Sequence, residues 1–359
     1  MKQILFSIMG MLWGVIGFGY TPNLEVASGL NTPMGLLIDA EGQLWVVDSG
    51  LGGDDMHIET LDINTQEPTV ARYGLSSRVM RLNNNSSLDT LALLPSIVVG
   101  METVGGARLA FANGELYATS GFWVEHAGLD AAPLMGTLVR INGEEVSLVS
   151  DIWAYEKEHN PDGFVLESHP YGLAAGPDGM LYVADAGANS LFRIDPVTGD
   201  IEVLAVFEGV VSPLPNPARA NALESDPVPT AVVVAEDGTI YVALLPGFPF
   251  LPGSAKVVRL SPEGELSDYA TGLTSITDMQ MGPDGRLYIV QLAEFGETGP
   301  QPATGALLRL SEGLAEVVLA DIMFPTALAF NASGDAYLTV SALGPPGSGK
   351  VMLFPGVAQ

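Results

Sequence analysis

The sequence predicts an all-β chain: a six-bladed β-propeller of four-stranded blades, its ring closed by an N-terminal strand. Three observations predict it. First, a Gly-x-aliphatic-aromatic pattern recurs as Gly42-Gln43-Leu44-Trp45, Gly114-Glu115-Leu116-Tyr117, Gly179-Met180-Leu181-Tyr182, Gly238-Thr239-Ile240-Tyr241 and Gly285-Arg286-Leu287-Tyr288, and a sixth time, with Ala, as Gly334-Asp335-Ala336-Tyr337. The glycines lie 72, 65, 59, 47 and 49 residues apart. Second, each copy is followed by a strand-like motif, VMRL at 79–82, LVRI at 138–141, LFRI at 191–194, VVRL at 257–260, LLRL at 307–310 and VMLF at 351–354. Of ten arginines, five occupy this one slot, which marks a structural address on an outer strand. Third, the apolar runs are short, β-branched and turn-bounded, with no long 3.6-residue periodicity. Units of four short strands at such a period stack as propeller blades.

Within each unit, the order is strand, tight turn, strand, loop, strand, turn, strand. The turn glycine supplies the positive φ that a tight hairpin needs. Nine residues before it stands proline in four copies, Pro33, Pro170, Pro229 and Pro325. The sixth unit runs out of chain near Phe354, after three strands. Asn23 to Leu30 resembles an outer strand and precedes the first unit, so it is expected to complete blade six. Closure of this kind leaves no unpaired break in the ring.

Ahead of that strand, residues 1–19 read as a secretory signal peptide. Lys2 gives a positive start, Ile4 to Ile16 an apolar stretch short for a membrane span, and Gly17-Phe18-Gly19 small residues before a cleavage point. Residues 20–359 then form one propeller domain, exported to the periplasm or beyond the cell and not membrane-spanning after cleavage. The formal charge of −28 argues against nucleic acid and anionic lipid as partners. With no cysteine, disulfides, thiolate metal sites and cysteine nucleophiles are excluded.

Three insertions break the repeat: Ser49 to Ser77, Asp151 to Ser168, and Glu208 to Asp226. In the second, Ile152 to His159 reads as a short helix, capped by Asp151 and stopped at Asn160-Pro161. Loops added to a blade are where such folds carry function.

The stretches AYEKEHNPDGFVLESHPYGL and LYVADAGANSLFRID, with NLEVASGLNTPMGLLIDAEGQLWVVDSGLGGD near the N-terminus and the GTLVRI segment, resemble the ScyD/ScyE family. The resemblance spans nearly all of the chain after the signal peptide and is most specific at 151–195. It implies an exported, NHL-like six-bladed propeller; it carries no established reaction with it. Where that family tends to a Pro-His-Asp-like start of blade two, this chain has Gly106-Ala107-Arg108.

Candidate chemistry gathers at the channel. Seven residues before each turn glycine stand Gly35, Gly172, Ala231, Asp278 and Ala327; blade two, one residue shorter, places Arg108 there. Arg108 and Asp278 therefore oppose one another, either as a charged channel that orients a polar ligand or as a channel-spanning ion pair. Three residues after the aromatic come Asp48 and Asp185, at strand ends; they are either Ca²⁺ ligands or caps of their own turns. Asp54 and Asp55 with His57 form either a further cation site or a solvated acidic loop.

Of the four histidines, His57, His126, His159 and His169, the last precedes Pro170 near a channel mouth and is the best candidate for acid–base work and for ligand contact. Phe122 and Trp123 offer either a stacking surface or packing under a loop. No zinc-hydrolase spacing, nucleophile elbow or phosphate loop is present. The leading expectation is a binding or scaffold propeller for a small molecule, a peptide or an envelope partner. A metal-dependent lactonase or lyase, using Ca²⁺ with Asp48, Asp185, Asp278 and His169, is the alternative, and a structural matrix protein a third reading.

Overall fold

The computed structural model describes residues 24–61, 67–83, 87–100, 102–124, 130–297 and 299–359; the expected signal peptide, residues 1–19, lies outside them. Among the described residues, six sheets of four or more strands follow one another along the chain. Their innermost strands are Pro33–Ile38, Gly106–Ala112, Pro170–Ala175, Pro229–Val234, Ile276–Met281 and Leu328–Phe330. Each neighbours the next, and the last returns to the first, so the strands close a ring.

The closure is the expected one. Leu24–Leu30 pairs antiparallel with Gly349–Phe354 as the outer strand of the sixth sheet. Lys350 Nζ meets Glu25 Oε2 at 2.7 Å across that pair. The strand also reaches the first sheet, because Asn31 N donates to Asp48 Oδ2 at 2.9 Å and Arg78 donates to the Gly29 carbonyl at 3.0 Å.

All six turn glycines have φ between 75° and 84°, a region that costs an L-residue strain and glycine none. The recurrent arginines sit on the third strand, each directly across from the recurrent aromatic: Trp45 faces Arg81, Tyr117 Arg140, Tyr182 Arg193, Tyr241 Arg259 and Tyr288 Arg309. Several then reach a carboxylate, as Arg193 does to Asp178 at 2.9 Å and Arg309 to Glu316 at 2.6 Å. Burying an aromatic ring beneath a charged stem, with the guanidinium at the rim, explains the slot.

The core lies between sheets rather than inside one. Trp45, Val47 and Leu94 of the first sheet meet Leu109, Leu116 and Val139 of the second, and an equivalent apolar layer fills each of the other five interfaces. A seventh cluster is extra: Ile58, Tyr73 and Ile97 pack on Trp123, Met135 and Trp153.

The first sheet departs from the four-stranded expectation. Its third and fourth strands run long, Pro68–Leu82 and Leu88–Val99, and carry Met56–Leu61 and Glu102–Val104 besides. The first insertion thus contributes strand at Met56–Leu61 and in the first part of Pro68–Leu82, where loop was expected. The second forms the expected helix, Ile152–His159, with the Asp151 side chain accepting from Ala154 N and Asn160 in the left-handed region. The third folds as a hairpin, Val210–Asn216 with Ala222–Ser225. No helix among the described residues is long and apolar enough to cross a membrane.

Candidate functional site

Register fixes the channel slot. Gly35 pairs with Val47, Gly172 with Ala184, Ala231 with Ala243 and Asp278 with Val290, each just inside a strand irregularity. In the second sheet the same irregularity falls between Gly106 and Leu109, which places Arg108 in this slot. The slot is crowded: a Cβ on Gly35 would lie 2.6 Å from the Ala107 carbonyl.

The structure brings Arg108 and Asp278 together. Arg108 Nε lies 3.4 Å from Asp278 Oδ1, and both residues are buried, at 3% and 2% exposure. Asp278 also accepts from the backbone N–H of Met279 and of Leu328, each within 2.9 Å. Burial pushes its pKa up, against the Arg108 charge that pulls it down. The Arg108 guanidinium donates to the carbonyls of Met34, Ala107, Thr277 and Thr326, and lies over the Tyr171 ring at 4.7 Å. The inner strands of five sheets thus converge on one guanidinium, and of the two readings of this pair it is the channel-spanning ion pair that the geometry supports.

Around it runs a set of threonine bonds between neighbouring inner strands. Thr230 Oγ1 donates to the Ile276 carbonyl at 2.7 Å, Thr277 to Pro325 at 3.5 Å and Thr326 to Pro33 at 2.5 Å. The sequence carried their signal, a threonine directly after the proline slot in Pro229-Thr230 and Pro325-Thr326, with Ile276-Thr277 in register.

His169 stands at one mouth of this channel. Its ring is 5.4 Å from Tyr171 and 5.7 Å from Phe122, and burial pushes its pKa down to about 4. The imidazole is therefore neutral at neutral pH, with neither ring nitrogen hydrogen-bonded to the described residues. Trp123 is buried in the extra cluster, as loop packing. His57, exposed near the start of strand Met56–Leu61, lies 3.5 Å from Asp54, and His159 stacks on Tyr155 at 4.2 Å. His126 is outside the described residues.

Asp48 and Asp185 occupy equivalent strand ends on different sheets, opposite Pro33 and Pro170. Asp48 takes Arg78 as an ion-pair partner and the backbone N–H of Asn31 and Arg78. Asp185 accepts from Ser168 Oγ at 2.7 Å, His169 N at 2.6 Å, and Gly187 N and Ala188 N at 3.0 Å. Both therefore clasp turns, and they do not converge with Asp278 or with each other. Among the described residues, no three His, Asp or Glu side chains are grouped to hold a metal ion. The channel's one carboxylate is already matched by a guanidinium, so these residues do not fit a divalent cation there.

Asp185→Ala is accordingly expected to lower stability by about 2–4 kcal/mol, because a buried hydroxyl and three N–H groups lose their acceptor. Urea unfolding measures this; an unchanged midpoint would remove the clasp reading.

Beside Asp185 lies a group of carboxyls that sequence reasoning missed. Glu156, on the second-insertion helix, is 0% exposed, and neither oxygen has a well-formed hydrogen bond. Burial, then the charges of Asp185 and Asp162, push its pKa up to about 8, with weak relief from the Glu167 N–H. Burial and the same neighbours, with Asp226, push Glu167 up to about 7.

Residues 172–343 match the family described as the SMP-30/Gluconolactonase/LRE-like region. A gluconolactonase of Zymomonas mobilis is 28% identical over 134 residues, which is 36% of this chain and 35% of that protein. The chain thus aligns with about a third of that relative's length. Among solved structures, a Thermus thermophilus protein described as an oxidoreductase (glucose dehydrogenase) superposes with a TM-score of 0.52 at 18% identity, covering 92% of this chain and 99% of that one. A virginiamycin B lyase of Staphylococcus aureus gives 0.49 at 13%, covering 93% and 98%. The Thermus superposition shows the fold alone, a β-propeller. The similarity found is to the gluconolactonase-type region; the ScyD/ScyE resemblance rests on the sequence motifs alone.

Proposed function

We propose that the chain is a lactonase-type hydrolase that opens a small lactone at the His169 mouth of the channel. The observation that carries this is the match of 172–343 to the gluconolactonase-type region, which begins three residues after His169 and takes in most of the third sheet. The neutral His169 imidazole accepts a proton from water as the water oxygen bonds to the lactone carbonyl carbon. The ring C–O bond then breaks, its oxygen takes a proton, and a hydroxy acid leaves. Tyr171 and Phe122 wall the ring on two sides and suit a compact, partly apolar substrate face.

The test is a panel of sugar and aliphatic lactones followed by acid release, with the metal content of the purified protein measured alongside. Turnover above the uncatalysed rate is expected, with a fall of about 10²-fold or more in His169→Ala at an unchanged melting temperature. Activity should vanish as pH falls below about 4, where the imidazole becomes charged. No turnover of any lactone, with or without added divalent ions, would remove the proposal.

The second reading is a binding propeller for a small molecule, peptide or envelope partner. Its ligand would sit on the loop-decorated face, since the Arg108 guanidinium occupies the axis where a channel ligand would bind.

A further inference from the structure

We infer that Arg108 is the resident cation of the channel: its guanidinium fills a carbonyl-and-carboxylate cage that would otherwise take a separate cation, and its charge holds the ring together. This stands apart from the lactonase proposal.

The cage is built from backbone. The carbonyls of Met34, Ala107 and Thr277, from three inner strands, and of Thr326, just before a fourth, point at one buried place. Asp278 adds a carboxylate oxygen at 3.4 Å. Oxygens in this number, converging from several directions, are what a cation's coordination shell supplies. Left empty, the cage would set four carbonyl dipoles and a carboxylate against one another in a dry space.

A guanidinium meets the cage donor for donor. It has five N–H groups in a planar fork and no acceptor. Two on Nη1 serve Met34 and Ala107, two on Nη2 serve Thr277 and Thr326, and Nε faces Asp278. The four Nη N–H groups are all used, and Nε makes the ion pair with Asp278 without a well-formed hydrogen bond. The Tyr171 ring closes one face, a cation–π contact at 4.7 Å. Lysine, with three donors on one point, cannot span this set.

The threonine bonds explain why the cage is rigid. Thr277 and Thr326, whose carbonyls bind Arg108, use their hydroxyls to tie adjacent inner strands. The same two residues thus fix the distance between strands and offer the acceptors.

The experiment is thermal unfolding of the wild type, Arg108→Ala, Arg108→Met and Arg108→Lys, with and without EDTA, Ca²⁺ and ethylguanidinium. The wild type is expected to be indifferent to EDTA and Ca²⁺. Arg108→Ala should melt about 5–10 °C lower, since one partner of a buried pair is lost. Millimolar ethylguanidinium should restore at least half of that, where equal sodium chloride does not, and Asp278→Asn in the Ala background should abolish the rescue. Arg108→Met fills the space without charge and should melt below Arg108→Lys. The inference is overturned if Arg108→Met matches the wild type, if ethylguanidinium rescues no better than sodium chloride, or if EDTA lowers the wild-type melting temperature by several degrees. Should Arg108→Ala yield no folded protein, the order of the Met and Lys variants decides: Lys above Met supports the resident cation, and Met equal to or above Lys refutes it.

Discussion

Deleting the chain through Leu30 is expected to unfold the ring as a whole, not to trim one blade. Leu24–Leu30 supplies the outer strand of the sixth sheet. It buries Leu30 and Ala27 in the layer shared by the sixth and first sheets, against Leu36, Val46 and Val351. Burying a leucine contributes about 2 kcal/mol, and the ladder, the Asn31–Asp48 bond and the Arg78–Gly29 bond add to it. Their sum, about 5 kcal/mol, is of the order of a domain's entire net stability. A linear stack could tolerate a lost terminal strand. A ring cannot, because the same strand joins the last sheet to the first. Circular dichroism melting of chains that begin at Tyr20 and at Asn31 measures the loss. A midpoint within about 2 °C of the parent would show that the closure carries no weight.

That closure was legible because its pieces were: a sixth unit one strand short at one end, and a spare strand at the other. The turn glycines and the arginine slot were legible for the same reason. Each repeats, and repetition separates a structural requirement from chance. The channel slot was legible too, down to the shorter turn that puts Arg108 in line with Asp278.

What those two residues do was not legible. Sequence shows a slot's occupant but not its partners, and four of the five partners of Arg108 are backbone carbonyls, which carry no residue signature. Asp48 and Asp185 show the converse limit. A carboxylate at a strand end is chemically fit to bind Ca²⁺ or to cap a turn. Only the nearby N–H groups, and Arg78 for Asp48, settle which it does. The first insertion was read as loop because its strands lie outside the repeat. Glu156 and Glu167 escaped notice because nothing in the linear chain brings them near Asp185; the packing of the second insertion does.

Glu156→Gln is expected to stabilise the protein at pH 8 and to change it far less at pH 5. The sign follows from proton binding. In the folded chain the Glu156 carboxyl holds its proton to about pH 8 and Glu167 to about pH 7. Unfolded, a glutamate releases it near pH 4.3. Between those limits the native state binds more protons than the unfolded state, so stability falls as pH rises, by up to about 1.4 kcal/mol per pH unit for each fully shifted group. The groups acting on Glu156 make this worse: Asp185, Asp162 and Glu167 are acids. Glutamine keeps the size of the protonated acid and cannot ionise, so the variant loses Glu156's share of the slope. At pH 8 the gain should be on the order of 2–3 kcal/mol, below the full linkage value because the site can relax around a charge. Urea unfolding of both proteins from pH 5 to pH 8.5 reads this directly. Curves that converge at the acid end and separate at the alkaline end are the expected result. Parallel curves would mean that Glu156 ionises in the native state at no cost, and that the helix of the second insertion opens to water where the structure shows it closed.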